Sequence, residues 1–474
     1  MSNQSGKMRL ITMKFGGTSV GSPEAITQVK DIVHDTLSTA ENVLVVVSAL
    51  SGVTNLLKEG LVYAASGDEA GYRRVTEALR ERHREVIDSL LDGEADSLLA
   101  SSNELIGGYL RFCESVHVLG EAPPRALDYT MGLGERISAR LVAAALRQHE
   151  IKSQAVDATE LIVTDDHFQN AAPLLDLTGA KVKQGLDPLL DEGIVPVVTG
   201  FIAATVDGIS TTLGRGGSDY SAALLGAILD SDEVWIWTDV DGVMSTDPRI
   251  VQEARSIERL TYKEVGELAY FGAKVLHPKT IRPVLEAGIP LRVKNTFNPA
   301  HPGTLIVPND LASDRPVKAV TVIREMSLIT VEGKGMLGVP GFAARTFGAV
   351  ARTGKSVLII SQSSSEQNIC FVVPRAASGV VVDALREEFV LEIARRDIDQ
   401  TTSRDDVAIV TVVGAGMLET PGIAGRIFTA TGSNGVNVIA IAQGSSECGI
   451  SLVVTDDDAD LAVQAIHTLA LADN

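Results

Sequence analysis

Four short segments gather lysine, arginine, aspartate and glycine at the ends of apolar runs. In the first, Lys14-Phe-Gly-Gly-Thr-Ser-Val20, glycines Gly16 and Gly17 let backbone N–H groups approach a phosphate while Lys14 neutralises it, although a lysine beside Gly-Gly also suits a plain solvated strand end. The second, Thr211 to Asp219, leads directly into a helix beginning at Ser218, so Arg215, the bare Gly216 and Gly217 and a helix N-terminus point at one place. Such an end binds anions, and an arginine fork takes a carboxylate or phosphate bidentately. Asp219 has two readings there: a helix cap, or a carboxylate holding a lysine or metal near the anion. In the third, Trp235 to Arg249, a buried strand delivers Thr238 and Asp239 to its carboxyl end, where open parallel sheets bind ligands. The fourth, Phe271 to Pro278, adds Lys274 after a glycine. No GxxxxGK[ST] phosphate loop occurs, and each segment alone is a weak signal.

Elements must hold these segments in place. Through the first 300 residues short β-branched runs alternate with longer amphipathic ones, which predicts an α/β fold with a mainly parallel sheet sandwiched by helices. Strands are expected at 9–15, 42–49, 194–202, 233–238 and 290–297, and helices at 72–91, 136–148 and 218–229, the last capped by Ser218 and Asp219. A polar, proline-rich stretch with one short strand inside it, 304–307, predicts a domain boundary near residue 310. At 474 residues and 45% hydrophobic the chain has room for two or three domains. A net charge of −20 repels a polyanion, so nucleic acid is excluded as a partner and an anionic small molecule needs a local basic pocket. The longest apolar runs are too short to span a membrane, and the polar N-terminus lacks a signal-peptide pattern, so a cytoplasmic protein is expected. Cys113, Cys370 and Cys448 lie far apart, supporting neither a disulfide framework nor a thiolate metal site.

Beyond the boundary lies an internal repeat. Gly335–Val373 and Gly416–Val454 align without a gap at an offset of 81 residues and are identical at 19 of 39 positions. Each copy reads strand, Gly/Pro turn, helix (342–352 and 423–431), then two short strands, placed at 357–361 and 369–373 in the first copy. Two α+β modules, 311–400 and 401–474, are expected to pair through their sheets around a shared ligand. Both copies keep Met-Leu-x-x-Pro-Gly (Met336 to Gly341, Met417 to Gly422) at a turn whose helix N-terminus can take a carboxylate. Both keep a glutamine, Gln362 and Gln443, expected one residue past a strand and able to donate and accept toward a neutral polar side chain. Glu366 and Glu447, four residues on, leave a cationic ligand open.

Together and in this order, KFGGTSV, SGVTNLL from Ser51, GLGER from Gly132, TLGRGGSDYSA, WTDVDG with TDPR, and FGAKVLHP closely resemble the aspartate kinases of the amino-acid kinase fold, over essentially the whole chain. The repeat looks like that family's pair of ACT modules, its QSSSE and QGSSE blocks most like the kinase half of the threonine-sensitive aspartokinase/homoserine dehydrogenases. About twenty residues follow the second copy, so no dehydrogenase is expected in this sequence.

The resemblance implies transfer of the γ-phosphoryl of ATP, carried with Mg²⁺, to the β-carboxylate of L-aspartate. That nucleophile is already ionised at neutral pH, so the site has to supply position and charge neutralisation rather than a base. The implied roles put Lys14 and Lys274 on the phosphates with Gly16, Gly17 and Ser19, and Asp219 on the lysine ammonium groups. Arg215 would take the substrate α-carboxylate and Glu135 its α-ammonium, with Ser48, Thr54, Gly216, Gly217 and Ser218 around them. Thr238, Asp239, Met244 and Arg249 would line the nucleotide groove, Met244 standing where the family usually has tyrosine. Feedback by an amino acid, threonine favoured, bound between modules of a homodimer or higher homo-oligomer is also implied, at the first step of aspartate-family amino-acid synthesis. The alternatives are a sister kinase acting on another acid, and an amino-acid sensor without catalysis. The repeat and the GLGER and FGAKVLHP segments argue against the first, and four intact charged residues against the second.

Overall fold

The computed structural model of the chain describes residues 8–272, 276–308, 316–337, 339–362, 367–418, 420–444 and 448–472. Two compact units divide it: Met1–Val243, Ser256–Tyr262 and Val275–Asn309 form the first, and Met244–Arg255, Lys263–Lys274 and Asp310–Asn474 the second. A single boundary near 310 is therefore too simple, because the chain leaves the first unit and returns to it twice before that point.

The first unit contains β1 (Met8–Phe15), β2 (Ala40–Val47), β3 (Ser153–Val156), β4 (Val163–Thr164), β5 (Val195–Thr199), β6 (Ile202–Thr205), β7 (Ser210–Thr212), β8 (Glu233–Thr238), β9 (Arg259–Thr261), β10 (Leu291–Asn295) and β11 (Thr304–Val307). Eight of these form one sheet in the order β3-β5-β2-β1-β8-β10-β11-β9, parallel except where β11 runs against β10; β4, β6 and β7 form a small second sheet. From Leu10 to Phe15 β1 is buried without alternation, as a parallel strand covered on both faces must be. The helices Leu133–Gln148 and Gly217–Ile228 pack on this sheet. Phe15 pairs in register with Val47 on one side and Trp237 on the other, so β1, β2 and β8 end at one level. That shared edge is where Lys14, Ser48 and Thr238 emerge.

The apolar run 194–202, expected as one strand, is two. The chain turns at Gly200 and Phe201, where Phe201 adopts a left-handed φ of 70° and its N–H donates to Ser221 Oγ at 3.1 Å. An uninterrupted apolar run carries no periodicity that could reveal such a break.

The second unit contains β12 (Ala319–Glu332), β13 (Ile359–Gln362), β14 (Asn368–Pro374), β15 (Gln400–Val413), β16 (Ala440–Gln443) and β17 (Gly449–Thr455). They form one antiparallel sheet in the order β13-β14-β12-β15-β17-β16. The long central strand β12 serves the cores of both copies. Ile329 and Val331 of β12 pack with Met336, Val350 and Phe371 of the first copy, whereas Val320 packs with Val410, Met417 and Ile427 of the second. An irregularity between Ile323 and Met326, with Glu325 at φ 58°, separates the two halves of β12. The modules are thus interleaved rather than consecutive as 311–400 and 401–474. The strand half 319–323 lies outside the repeated stretch, so the repeat could not reveal it.

Candidate active site

The helix Gly217–Ile228 is capped by Gly216, at φ 71°, and no side chain hydrogen-bonds its cap. A Cβ at Gly216 would stand 2.7 Å from the His277 Cβ, so a glycine is required for space as well as for φ. The expectation that Ser218 and Asp219 cap this helix is corrected: both lie inside its first turn. Asp219 instead meets Lys14 across the sheet edge, Oδ1 to Nζ at 2.6 Å, with side chains only 16% and 11% exposed. Asp219 therefore contacts a lysine and does not cap the helix. A largely buried ammonium is thereby fixed beside a helix N-terminus, which is the preorganised positive charge a phosphate requires.

Glu135 lies in the first turn of the helix Leu133–Gln148, where a glutamate is ordinarily a surface residue. Here it is 3% exposed. The preceding Gly134 permits this, because a Cβ there would stand 2.6 Å from the Ala49 Cβ; the helix start can therefore press onto the Ala49–Val53 segment. Burial pushes the Glu135 carboxyl up to about 7, opposed by hydrogen bonds from backbone N–H groups and by the nearby Arg136 and Lys14. Its Oε2 has no hydrogen-bond partner among the described residues. A buried, unsatisfied carboxylate oxygen is costly unless a ligand cation completes it.

Arg215 is exposed, and nothing among the described residues hydrogen-bonds or ion-pairs with it. Ser218 and Thr54 are half-buried in the first turns of their helices, and Ser48 is half-buried just past β2, its N–H donating to the Phe15 carbonyl at 3.1 Å. Thr238 ends β8, with its hydroxyl donating to the exposed Asp239 at 3.1 Å.

Other expected contacts fare differently. The Gly16 and Gly217 N–H groups are engaged by the Trp237 and Gly214 carbonyls at 3.2 and 3.0 Å, so neither is free for a phosphate or substrate oxygen; Gly17 presses its backbone toward the Ala49 carbonyl. Ser19 is fully buried, its hydroxyl 2.7 Å from Thr296 Oγ1, and serves to tie the loop to the sheet end rather than to face a nucleotide. Met244 and Arg249 belong to the second unit, where Arg249 forks onto Asp247 at 2.6 to 3.1 Å. Lys274 lies outside the described residues, as do Glu366 and Glu447.

Two residues were not singled out from the sequence. Asp128, fully buried, accepts from the Thr212 N–H and hydroxyl at 3.0 and 2.8 Å and from the Gln169 N–H at 2.8 Å, pinning the chain just before Arg215. His277 caps the helix Pro278–Ala287, Nδ1 accepting from the Lys279 N–H; burial first, then Lys279 and Arg215, hold its pKa low. A His-Pro before a helix was the available signal for the second; a lone aspartate in Leu-Asp-Tyr offered none for the first.

In the second unit Met336, Gly341 and Gln362 come together around a cavity of about 330 Å³, whose lining is otherwise Val339, Pro340, Phe342, Ala343 and Ile369. Gly341 and Gly422 hold equivalent left-handed turns at φ 99° and 89°, and Met336 and Met417 are buried beneath them. Gln362 and Gln443 are exposed last residues of β13 and β16, not one position beyond a strand.

Among the described residues no group of three or more His, Cys, Asp or Glu stands together as a metal site, and no helix is long and apolar enough to cross a membrane. Residues 9–295 match the amino acid kinase family, and residues 329–389 and 410–469 match the ACT domain. The chain is 38% identical over 463 residues, 96% of its length, to bifunctional aspartokinase/homoserine dehydrogenase 1, chloroplastic, of Arabidopsis thaliana, and spans half of that protein. It is 33% identical to aspartokinase 3, chloroplastic, of the same plant, covering 98% of this chain and 82% of the relative. Among solved structures, aspartokinase III of E. coli in complex with aspartate and ADP superposes with a TM-score of 0.80 at 31% identity, covering 97% of this chain and 99% of that one.

Proposed function

The chain belongs to the amino acid kinase family, among its aspartokinases, and on that premise we propose that it transfers the γ-phosphoryl of ATP to the β-carboxylate of L-aspartate under feedback by an amino acid. The observation that carries the reading is the Lys14–Asp219 pair at the carboxyl edge of the sheet, beside the helix N-terminus at Gly217. Two anions must be brought together, and a lysine held in place by a carboxylate offsets their repulsion without reorganising as charge moves. Glu135 would ionise on meeting the substrate α-ammonium and supply its unpartnered oxygen. Arg215, exposed, would fork onto the α-carboxylate, leaving the β-carboxylate to attack in line. The Asp239 carboxylate offers the hard oxygen that Mg²⁺ takes, and the ion, entering on the nucleotide, would neutralise phosphate charge. Lys274 is assigned the same phosphates.

Regulation by threonine is supported by the cavity under Gln362, whose described lining is uncharged: an amide that donates and accepts fits a hydroxyl side chain better than an ammonium. The edge strands β13 and β16 expose Ile360 and Ile441, the kind of edge a second copy covers, which supports a homodimer. A cytoplasmic site of action goes with this reading. The test is an ATP-dependent hydroxamate assay with aspartate and with glutamate, repeated with threonine, lysine and methionine. Turnover with aspartate alone, suppressed by threonine, is expected; turnover favouring glutamate, or threonine binding without turnover, would replace the reading by a sister kinase or a sensor.

A further inference from the structure

The turns that open the two repeated modules share one tie within the module, Gly333 N–H to the Gln367 carbonyl at 2.9 Å and Gly414 N–H to the Cys448 carbonyl at 3.0 Å, and differ in a further one. In the first copy the Gly335 N–H donates to the Asp397 carbonyl at 2.9 Å, so its turn is tied to backbone of the same module. In the second the Ala415 N–H donates to the Glu264 carboxylate at 2.6 Å. Glu264 lies outside the repeat, on the helix Tyr262–Tyr270, whose residues from Lys263 on belong to the second unit. Its side chain is fully buried and its other oxygen meets Lys318 Nζ at 3.2 Å, itself 7% exposed, immediately before β12. One buried carboxylate therefore joins three pieces: the helix, the start of the shared strand, and the turn Ala415–Met417 that carries Met417 toward the second ligand turn at Gly422. Beyond the helix, which ends at Tyr270, the sequence continues through Phe271 and Gly272 to Lys274.

We infer that Glu264 is a positioning residue that couples the ligand turn of the second module to the chain segment leading to Lys274. A buried pair in which each partner holds the other cannot be displaced piecemeal, because separation leaves a charge unpaired in the interior. A shift of the Ala415–Met417 turn on effector binding must then drag the helix with it or break that pair. From the first copy, the Val357 carbonyl accepts from the exposed Tyr270 hydroxyl of this helix at 3.3 Å. The proposal rests on the kinase reading above, and its experiment separates the two.

The measurement is the thermodynamic coupling between threonine and ATP: ATP affinity with and without saturating threonine, by calorimetry on the full chain, together with KM for ATP and kcat. In the wild type a coupling of about fivefold or more is expected, within the ordinary range for allosteric pairs. Glu264→Gln should bring the factor close to one. Because that variant alone could lose stability, Glu264→Met/Lys318→Met is tested beside it. Replacing a buried ion pair by apolar residues of similar volume is often neutral for stability, yet it removes the link to Ala415. A double variant with wild-type thermal midpoint and no coupling supports the inference; one with wild-type coupling overturns it and reduces Glu264 to structure. Should the wild type itself ignore threonine, the effector assignment fails, and the positioning role is then judged from the ATP KM of the double variant. A severalfold rise at unchanged kcat supports it, and no change overturns it.

Discussion

The corner at the sheet edge and the cavity beneath the first ACT turn meet their ligands by opposite means. The corner is built of charge: Lys14 and Asp219 paired and nearly buried, Glu135 buried with a free oxygen, Arg215 open. Among the described residues no charged side chain lines the cavity, where one glutamine stands among apolar residues. Fixed charges suit a step in which charge is redistributed, since they stabilise the transition state without rearranging. A neutral lining suits a reversible effector, whose binding needs selectivity more than strength. The deepest perturbations should therefore come from the corner. Lys14→Ala should lower kcat by about 100-fold or more, the loss typical of removing one preorganised electrostatic contact. Because Asp219 is then left unpaired, Lys14→Ala/Asp219→Asn separates catalysis from stability. Retention of more than about a tenth of wild-type kcat by a folded variant would remove the ground for the contrast.

Arg215→Ala tests whether the corner's open charge serves substrate or nucleotide. A lost charged pair at the exposed end of its range costs about 2 kcal/mol, so the aspartate KM should rise about 30-fold with the ATP KM little moved. The opposite pattern would assign Arg215 to the phosphates. Glu135 gives a smaller, pH-dependent effect. With its carboxyl near 7 in the free protein, protonation below that value removes the acceptor for the substrate ammonium. The kcat/KM for aspartate should therefore climb about tenfold from pH 6 to pH 8, as the ionised fraction of a group titrating at 7 does, and lose that slope in Glu135→Gln. The stability contribution has the reverse sign. Since the folded carboxyl binds its proton more tightly than the usual 4.5, ligand-free stability should fall as pH rises from about 4.5 through 7.

How far these sites were legible depends on whether their chemistry lies in consecutive residues. Lysine, arginine and glycine at strand ends announce an anion site, and Lys14, Arg215 and the strand Glu233–Thr238 stand where their local pattern puts them. What depends on distant chain was hidden. Asp219 followed by an apolar helix looks like a cap, and only the left-handed Gly216 together with Lys14, some two hundred residues earlier, shows otherwise. Glu135 reads as a helix-dipole residue until Gly134 and Ala49 close over it. The shared β12 escaped because its first half pairs with β15 across some ninety residues of intervening sequence. The duplication, by contrast, was legible because two copies of one sequence test each other without any structure.

Those copies supply the finest form of the comparison. Their ligand turns keep methionine, proline, glycine and glutamine at matching positions, but Val339 and Phe342 of the first are Thr420 and Ile423 in the second. Thr420 turns its hydroxyl back to the Gly416 carbonyl at 2.6 Å, so it adds little polarity toward a ligand. Ile423 is smaller than Phe342, which stacks on Phe389 at 5.6 Å between ring centroids. Each glutamine should contribute one hydrogen-bonding group of about 1 kcal/mol, so Gln362→Ala or Gln443→Ala should raise the half-inhibitory threonine concentration by about fivefold to tenfold. The uninhibited rate should stay unchanged, since neither side chain belongs to the catalytic corner. If Glu264 links only the second copy to the helix before Lys274, the two variants will differ in kind. Gln443→Ala should lower the maximal extent of inhibition as well as its midpoint, whereas Gln362→Ala should move the midpoint alone. Full inhibition curves at fixed ATP, fitted separately for midpoint and plateau, read both quantities; identical shifts in the two variants would show that the copies act as one site.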